Sequence, residues 1–235
     1  MILALGPPAT VAAQRATATI PIVFVVSADP VGLGIVKSLA RPGGNTTGIF
    51  NLGIDLSLKH VELLLAIAPE VSRVALLVNP GNSAHGAMLK DIQTAMQTSR
   101  VELIPIDVQS TNDIRTAFSR MVRQKVGGVI VPLDPFFIQE ARVLGTEATR
   151  HQLPSVFAFR EAAEFGGLMT YGQNQVQIYR RAAEYVDRIL RGVRPDDLPV
   201  EQPAVLELVI NAGTARTLGR VIPASLRMRA DAILD

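Results

Sequence analysis

Short apolar runs rich in β-branched residues recur along this chain, each followed by a turn and then by a stretch with helical spacing. That alternation constrains the fold more than any other feature. Strands separated by helices of ten or more residues form βαβ units with right-handed crossovers and parallel sheets. The pattern is clearest at residues 22–34, IVFVVSADPVGLG. Residues 22–26 are apolar without alternation, as expected of a strand buried on both faces. Ser27, Asp29 and Pro30 then end the strand and open a helix over 31–40, offering a capping oxygen and a proline whose fixed φ suits a first turn. Such a turn leaves backbone N–H groups at the carboxyl edge of the sheet, where open α/β folds hold ligands.

The same reading predicts strands over 1–5, 19–26, 46–50, 73–78, 101–108, 128–133, 154–159, 168–171 and 206–210. Helices are predicted over 9–16, 31–40, 56–68, 84–97, 111–124, 136–151, 160–165, 175–191 and 214–218, with a closing turn and helix in 222–235. About nine strands are too many for one small sheet. Pro69-Glu70-Val71-Ser72 falls between two internally regular blocks. The expected fold class is therefore α/β, with two doubly wound parallel-sheet lobes. Residues 1–70 plus 173–195 are assigned to the first lobe, and 71–172 plus 196–235 to the second.

With 235 residues, 48% hydrophobic and 19% charged, the composition is that of a globular chain and excludes a disordered one. No apolar run approaches the ~18 residues that span a bilayer. Net charge is only +2 with the basic residues scattered, so no nucleic-acid partner is expected despite a pI near 9.2. The chain has no cysteine, which excludes disulfides, thiolate nucleophiles and thiolate metal sites. His60, His85 and His151 stand far apart in no ligand spacing, so no metal and no cofactor are expected. His85, near a helix start, reads as a surface residue.

Gly32-Leu33-Gly34 follows a strand but fails the dinucleotide fingerprint, because Lys37 stands at the third glycine position. Walker A, GxSxG and HRD motifs are absent. Asp29, Asp107 and Asp134 each end or follow a strand; capping explains Asp107, whereas Asp29 and Asp134, in Asp-Pro pairs at strand ends, suit both capping and ligand contact. Six of the eleven aromatics lie between Phe136 and Tyr171. Phe136, Phe159 and Tyr171 sit where strands end and a cleft would open, while Phe157 belongs in a core. Arg160, after Phe159, is the better of two arginines (Arg41 being the other) for a ligand carboxylate.

Ser27-Ala-Asp-Pro-Val31, Ser38-Leu-Ala-Arg-Pro-Gly-Gly-Asn-Thr-Thr-Gly48, Arg73-Val-Ala-Leu-Leu-Val-Asn-Pro80, Gly166-Gly-Leu-Met-Thr-Tyr-Gly172, Leu198-Pro-Val-Glu-Gln-Pro203, Glu207-Leu-Val-Ile-Asn211 and Ile222-Pro-Ala-Ser-Leu226 follow in order over nearly the whole chain. In these the chain resembles ABC-transporter substrate-binding proteins of the tryptophan/tyrosine-uptake type. The resemblance implies a bilobal fold of the periplasmic-binding-protein type. It also implies a small solute held in the interlobe cleft, an ABC permease in the membrane as partner, and a periplasmic or other extracytoplasmic location. The cleft residues it implies, together with those from the strand-end reading, are Gly6, Pro7, Ser27, Ala28, Asp29, Asn79, Asp134, Phe136, Phe159, Arg160 and Tyr171. The aromatics favour an aromatic or amino-acid-like ligand, with Asp134 for its ammonium and Ser27 N–H or Arg160 for its carboxylate. No catalysis is expected. The alternatives are an effector-sensing domain of a regulator and, further off, a doubly wound hydrolase or transferase. Relatives carry an export signal and about two βα units before the segment matching residues 2–5. A chain without them would expose the first strand as an edge, with homodimerisation through that edge as an expected outcome.

Overall fold

The computed structural model describes residues 1–51, 53–97, 99–202 and 205–235, with side chains described for all of these except 26–28, 51, 53–55 and 175. In chain order the elements are β1 (Ile2–Leu5), α1 (Gly6–Ala16), β2 (Ile22–Ala28), β3 (Thr46–Asn51), α2 (Gly53–Ile67), β4 (Arg73–Val78), α3 (Ser83–Ala95), β5 (Glu102–Asp107), α4 (Thr111–Arg123) and β6 (Gly128–Val131). Then follow α5 (Pro135–Gln139), α6 (Ala141–Arg150), β7 (Ser155–Phe157), α7 (Glu161–Glu164), β8 (Met169–Gln173), α8 (Gln175–Leu190), β9 (Leu206–Asn211), α9 (Ala212–Thr217), α10 (Ala224–Arg229) and β10 (Ala232–Leu234).

The chain forms two compact units: residues 1–53, 82–84 and 173–205, and residues 54–81, 85–172 and 206–235. Relative to the division expected from sequence, 54–70 lie with the second unit and 196–205 with the first. The reason is packing. Leu63, Leu64 and Ile67 on one face of α2 pack with Val74 and Leu76 of β4, whereas Leu198 joins Val23, Val25 and Ile49.

The first unit holds a three-stranded sheet in the order β1-β2-β3 with parallel pairing. Alternate residues of β2 face opposite cores, as the strand's period of two requires. Val23 and Val25 pack with Ile178, Ala182, Tyr185 and Ile189 of α8. Phe24 packs instead with Ile35, Val36 and Phe50. Tyr185 is fully buried, and its hydroxyl donates to the Pro199 carbonyl at 2.6 Å. Leu3 and Leu5 of the edge strand β1 are exposed.

The second unit holds a seven-stranded sheet in the order β10-β9-β8-β7-β6-β4-β5. Along β4, Val74 and Leu76 enter one core and Ala75 and Leu77 the other. A sheet with apolar cores on both faces is doubly wound, and its strands are the continuous apolar runs seen in the sequence. The α/β class with parallel sheets is thus the observed one. Among the described residues no helix is long and apolar enough to cross a membrane.

Three elements differ from expectation. Residues 31–34 form turns and 35–40 bends and irregular chain, with no helix. Asp29 Oδ1 accepts from Gly32 N–H at 2.9 Å, and Gly34 takes φ +69°. A helix through two glycines forgoes about 1 kcal/mol at each, and the turns instead bury Ile35 and Val36 against Phe24. The helix expected over 136–151 is two, α5 and α6, meeting at Glu140, which ends one and begins the other and accepts a hydrogen bond from the Thr111 hydroxyl at 2.9 Å. The tail adds a tenth strand, β10, parallel to β9.

Ser110 caps α4, its side chain accepting from Asp113 N–H at 3.2 Å. Ser110→Ala is expected to cost about 1 kcal/mol. A shift of the thermal midpoint by about 2–4 °C would register it.

Candidate functional site

The sequence-predicted residues fall in both units, which are taken separately. In the first, Gly6 has φ +77° and Gly6 and Pro7 begin α1, both buried. The Gly6 carbonyl accepts from the Thr10 hydroxyl at 2.8 Å. Asp29 is exposed and spends Oδ1 on the turn at Gly32. The side chains of Ser27 and Ala28 lie outside the described residues.

In the second unit β4 and β6 are paired neighbours, so their carboxyl ends bring Asn79 and Asp134 together. Asn79 Nδ2 donates to both carboxylate oxygens of Asp134, each at 3.2 Å. Asp134 Oδ1 also accepts from Phe136 N–H at 2.8 Å, which makes Asp134 the cap of α5. The carboxylate is buried, with Asp134 only 1% exposed. Asn79 is fixed in turn: Oδ1 accepts from Gly81 N–H at 3.0 Å, and its main-chain N–H donates to His85 Nδ1 at 2.9 Å. His85 is 3% exposed, not the surface residue expected, and its Nε2 stands 3.6 Å from Asp134 Oδ2. Burial pushes its pKa down, with Asp134 and the Leu133 carbonyl opposing. Asp134 is thus a capping residue and also the centre of a polar cluster at the sheet edge.

The aromatic candidates separate. Phe136 is half-buried, its ring 5.5 Å from that of Phe137. Phe159, placed by sequence at a cleft rim, is 1% exposed and stacks edge-on with Phe157 at 5.6 Å inside the core. It lies two residues beyond β7, in the bend before α7. Arg160 forms an ion pair with Glu207, so its guanidinium is already engaged by a carboxylate of this chain. Tyr171, in β8, is half-buried. The Tyr171 carbonyl lies 2.6 Å from His60 Nε2, and the two rings meet edge-on at 6.2 Å. Burial lowers the pKa of His60 to about 4, against the raising effect of the Tyr171 carbonyl.

Sequence reasoning missed His60 and His85. Their types carried no metal spacing, and only the pairing of β4 with β6 and the packing of α2 beside β8 show what they hold. One signal was present for His85: it lies six residues beyond Asn79, a distance over which Pro80-Gly81 can turn the chain back. Among the described residues no group of three or more His, Asp or Glu side chains could hold a metal ion.

The family model for "ABC transporter substrate binding protein" matches residues 1–234. The chain belongs to that family. It is similar to the "Tyrosine-binding protein" of Clostridioides difficile (strain R20291), with 26% identity over 219 residues, which are 93% of this chain and 62% of that protein. The chain therefore spans less than two thirds of the length of this curated relative. The crystal structure of a conserved domain protein from Vibrio cholerae O1 biovar eltor superposes with a TM-score of 0.90 at 28% identity, covering 99% of this chain and 78% of that one. The ABC domain from Streptococcus pneumonia, solved in complex with L-Trp, gives 0.89 at 24% identity, covering 100% of this chain and 80% of that one. At that identity the second likeness speaks for the fold alone.

Proposed function

We propose that this chain is the extracytoplasmic solute-binding component of an ABC importer, holding a small aromatic amino acid for a membrane permease without transforming it. The observation that carries the ligand class is Asp134, a buried carboxylate fixed at a sheet's carboxyl edge by the Asn79 amide and the Phe136 N–H. A carboxylate held by neutral donors offers oriented acceptor oxygens, and an α-ammonium is the complementary group. Membership of the family and the tyrosine-binding relative support that reading, as do Phe136 and Tyr171, half-buried near the same edge. Arg160 is spent on Glu207, so the ligand's carboxylate is assigned to main-chain N–H groups.

Calorimetry with L-tyrosine and L-tryptophan tests the proposal. Saturable binding of either is expected; binding of sugars with neither amino acid would overturn it. Asp134→Asn keeps a helix-capping side chain but removes the charge. It is expected to weaken L-tyrosine binding by about 100-fold, the scale of truncating one side of a buried charged hydrogen-bonded pair. Unchanged affinity would remove Asp134 from the site.

A further inference from the structure

We propose that His85 is a positioning residue of this site: in its neutral Nε2–H form it ties the Asn79 main chain to the Asp134 carboxylate and so sets the affinity for an ammonium-bearing ligand. The inference rests on the reading of Asp134 given above.

The tautomer follows from geometry. A backbone N–H can only donate, so His85 Nδ1, 2.9 Å from Asn79 N, must accept. The neutral ring then carries its proton on Nε2. A second proton would have to sit on Nδ1, directly opposing the Asn79 N–H. Burial among the Phe137 ring, at 5.9 Å, and the strand ends disfavours the charged ring as well. Nε2 is buried and makes no hydrogen bond of ordinary geometry; Asp134 Oδ2 lies 3.6 Å from it, and the Leu133 carbonyl also faces the ring. That separation is longer than a hydrogen bond. A buried N–H left unsatisfied costs free energy, and such a group in a native fold calls for an explanation. Here the N–H faces two acceptors, the Leu133 carbonyl and the Asp134 carboxylate, of which only the carboxylate belongs to a side chain that can shift toward it. A displacement of Asp134 by less than 1 Å toward the ring brings the pair within bonding distance. An imidazole held neutral contributes a dipole to Asp134 and no competing positive charge. The ligand's ammonium then meets an undiminished anion, whereas a lysine or a charged histidine at 85 would neutralise it.

Two isosteres separate the ring's two nitrogens. Asn at 85 places an acceptor near the Nδ1 position and no donor near Nε2; Gln places a donor near Nε2. The probes are L-tyrosine and its desamino analogue, 3-(4-hydroxyphenyl)propionic acid, measured by calorimetry. His85→Asn is expected to weaken L-tyrosine binding about tenfold, the scale of one hydrogen bond to a charged group, while the desamino analogue moves less than about twofold. His85→Gln is expected to recover L-tyrosine affinity to within about threefold of the parent. Equal weakening of both ligands by both variants indicates mere structural support and overturns the proposal; so does unchanged L-tyrosine affinity in His85→Asn. If Asp134→Asn leaves L-tyrosine binding intact, the ammonium reading itself fails. If Asp134→Asn weakens binding and His85→Asn does not, only the role of His85 fails. A ligand-independent check is the ring 15N spectrum, simple in a chain with 3 histidines. An Nε2–H neutral ring is expected near neutral pH, and the Nδ1–H tautomer or a charged ring would overturn the proposal whatever the ligand.

Discussion

Gly172→Ala is expected to destabilise the second unit by about 4 kcal/mol or more, the range reserved for severe steric conflict in a core. Gly172 is the penultimate residue of β8, directly after Tyr171. A Cβ built there would stand 2.1 Å from the Ala158 carbonyl oxygen and 2.9 Å from its carbon. Neither atom can yield as a flexible side-chain tip would, because both are main chain beside the β7–β8 pairing. Relief requires moving one strand, which loosens the Phe157 packing on one face and the Met169 packing on the other. A fall of about 10 °C in the thermal midpoint is the expected reading. Gly86→Ala in α3 is the control. A Cβ there meets nothing within 4 Å. In a helix interior the change should stabilise by about 0.5–1 kcal/mol. Loss of stability in Gly86→Ala, or its absence in Gly172→Ala, would contradict the packing described.

Acid is expected to remove about 3 kcal/mol of stability through His60 alone. Its Nε2 donates to the Tyr171 carbonyl, and its buried Nδ1 has no partner for a second proton. The pKa is therefore lowered from 6.5 to about 4 by burial. Between those values the unfolded chain binds a proton that the folded chain does not, so stability falls as pH falls through that window and is fully restored above it. A difference of 2.5 units between the two values corresponds to roughly 3 kcal/mol. His85, also lowered, acts in the same direction. His60→Gln keeps an N–H donor without a titrating ring. Unfolding free energies of the parent and this variant from urea titrations, compared at pH 7 and near pH 4, should diverge by about that amount. Parallel loss in both would place the acid sensitivity elsewhere. The effect bears on the site, because His60 fixes the end of β8 where Tyr171 lies.

Much of the fold was legible because its signals are local. Continuous apolar runs such as residues 74–78 announce strands buried on both faces, and the Asp134-Pro135 pair announces a helix start. The segment 31–40 was misread because its apolar spacing suits a helix, while the Asp29–Gly32 turn and the left-handed Gly34 answer to the core around Phe24. The break at Glu140 was hidden likewise, since a helical pattern runs through it and the reason to stop comes from Thr111, 29 residues away. Leu198 falls by sequence order with the second block, 196–235; its packing beside Val25 is a property of the folded first unit.

For the candidate site, the sequence by itself determined where strands end and what stands there: carboxyl ends of parallel strands, an Asp-Pro turn at 134–135, an Asn-Pro turn at 79–80. Strand-end position is a one-dimensional property, so it can be read from residue type and order. What only the tertiary structure decided is which of those residues meet. Asn79 reaches Asp134 because β4 pairs with β6, although 55 residues separate them. Phe159 turns into the core, Arg160 finds Glu207, and His85 comes to lie between a strand's N–H and a buried carboxylate. Burial and pairing across long sequence separations set the protonation of a histidine and the partner of an arginine, and neither is encoded in the residues next to them.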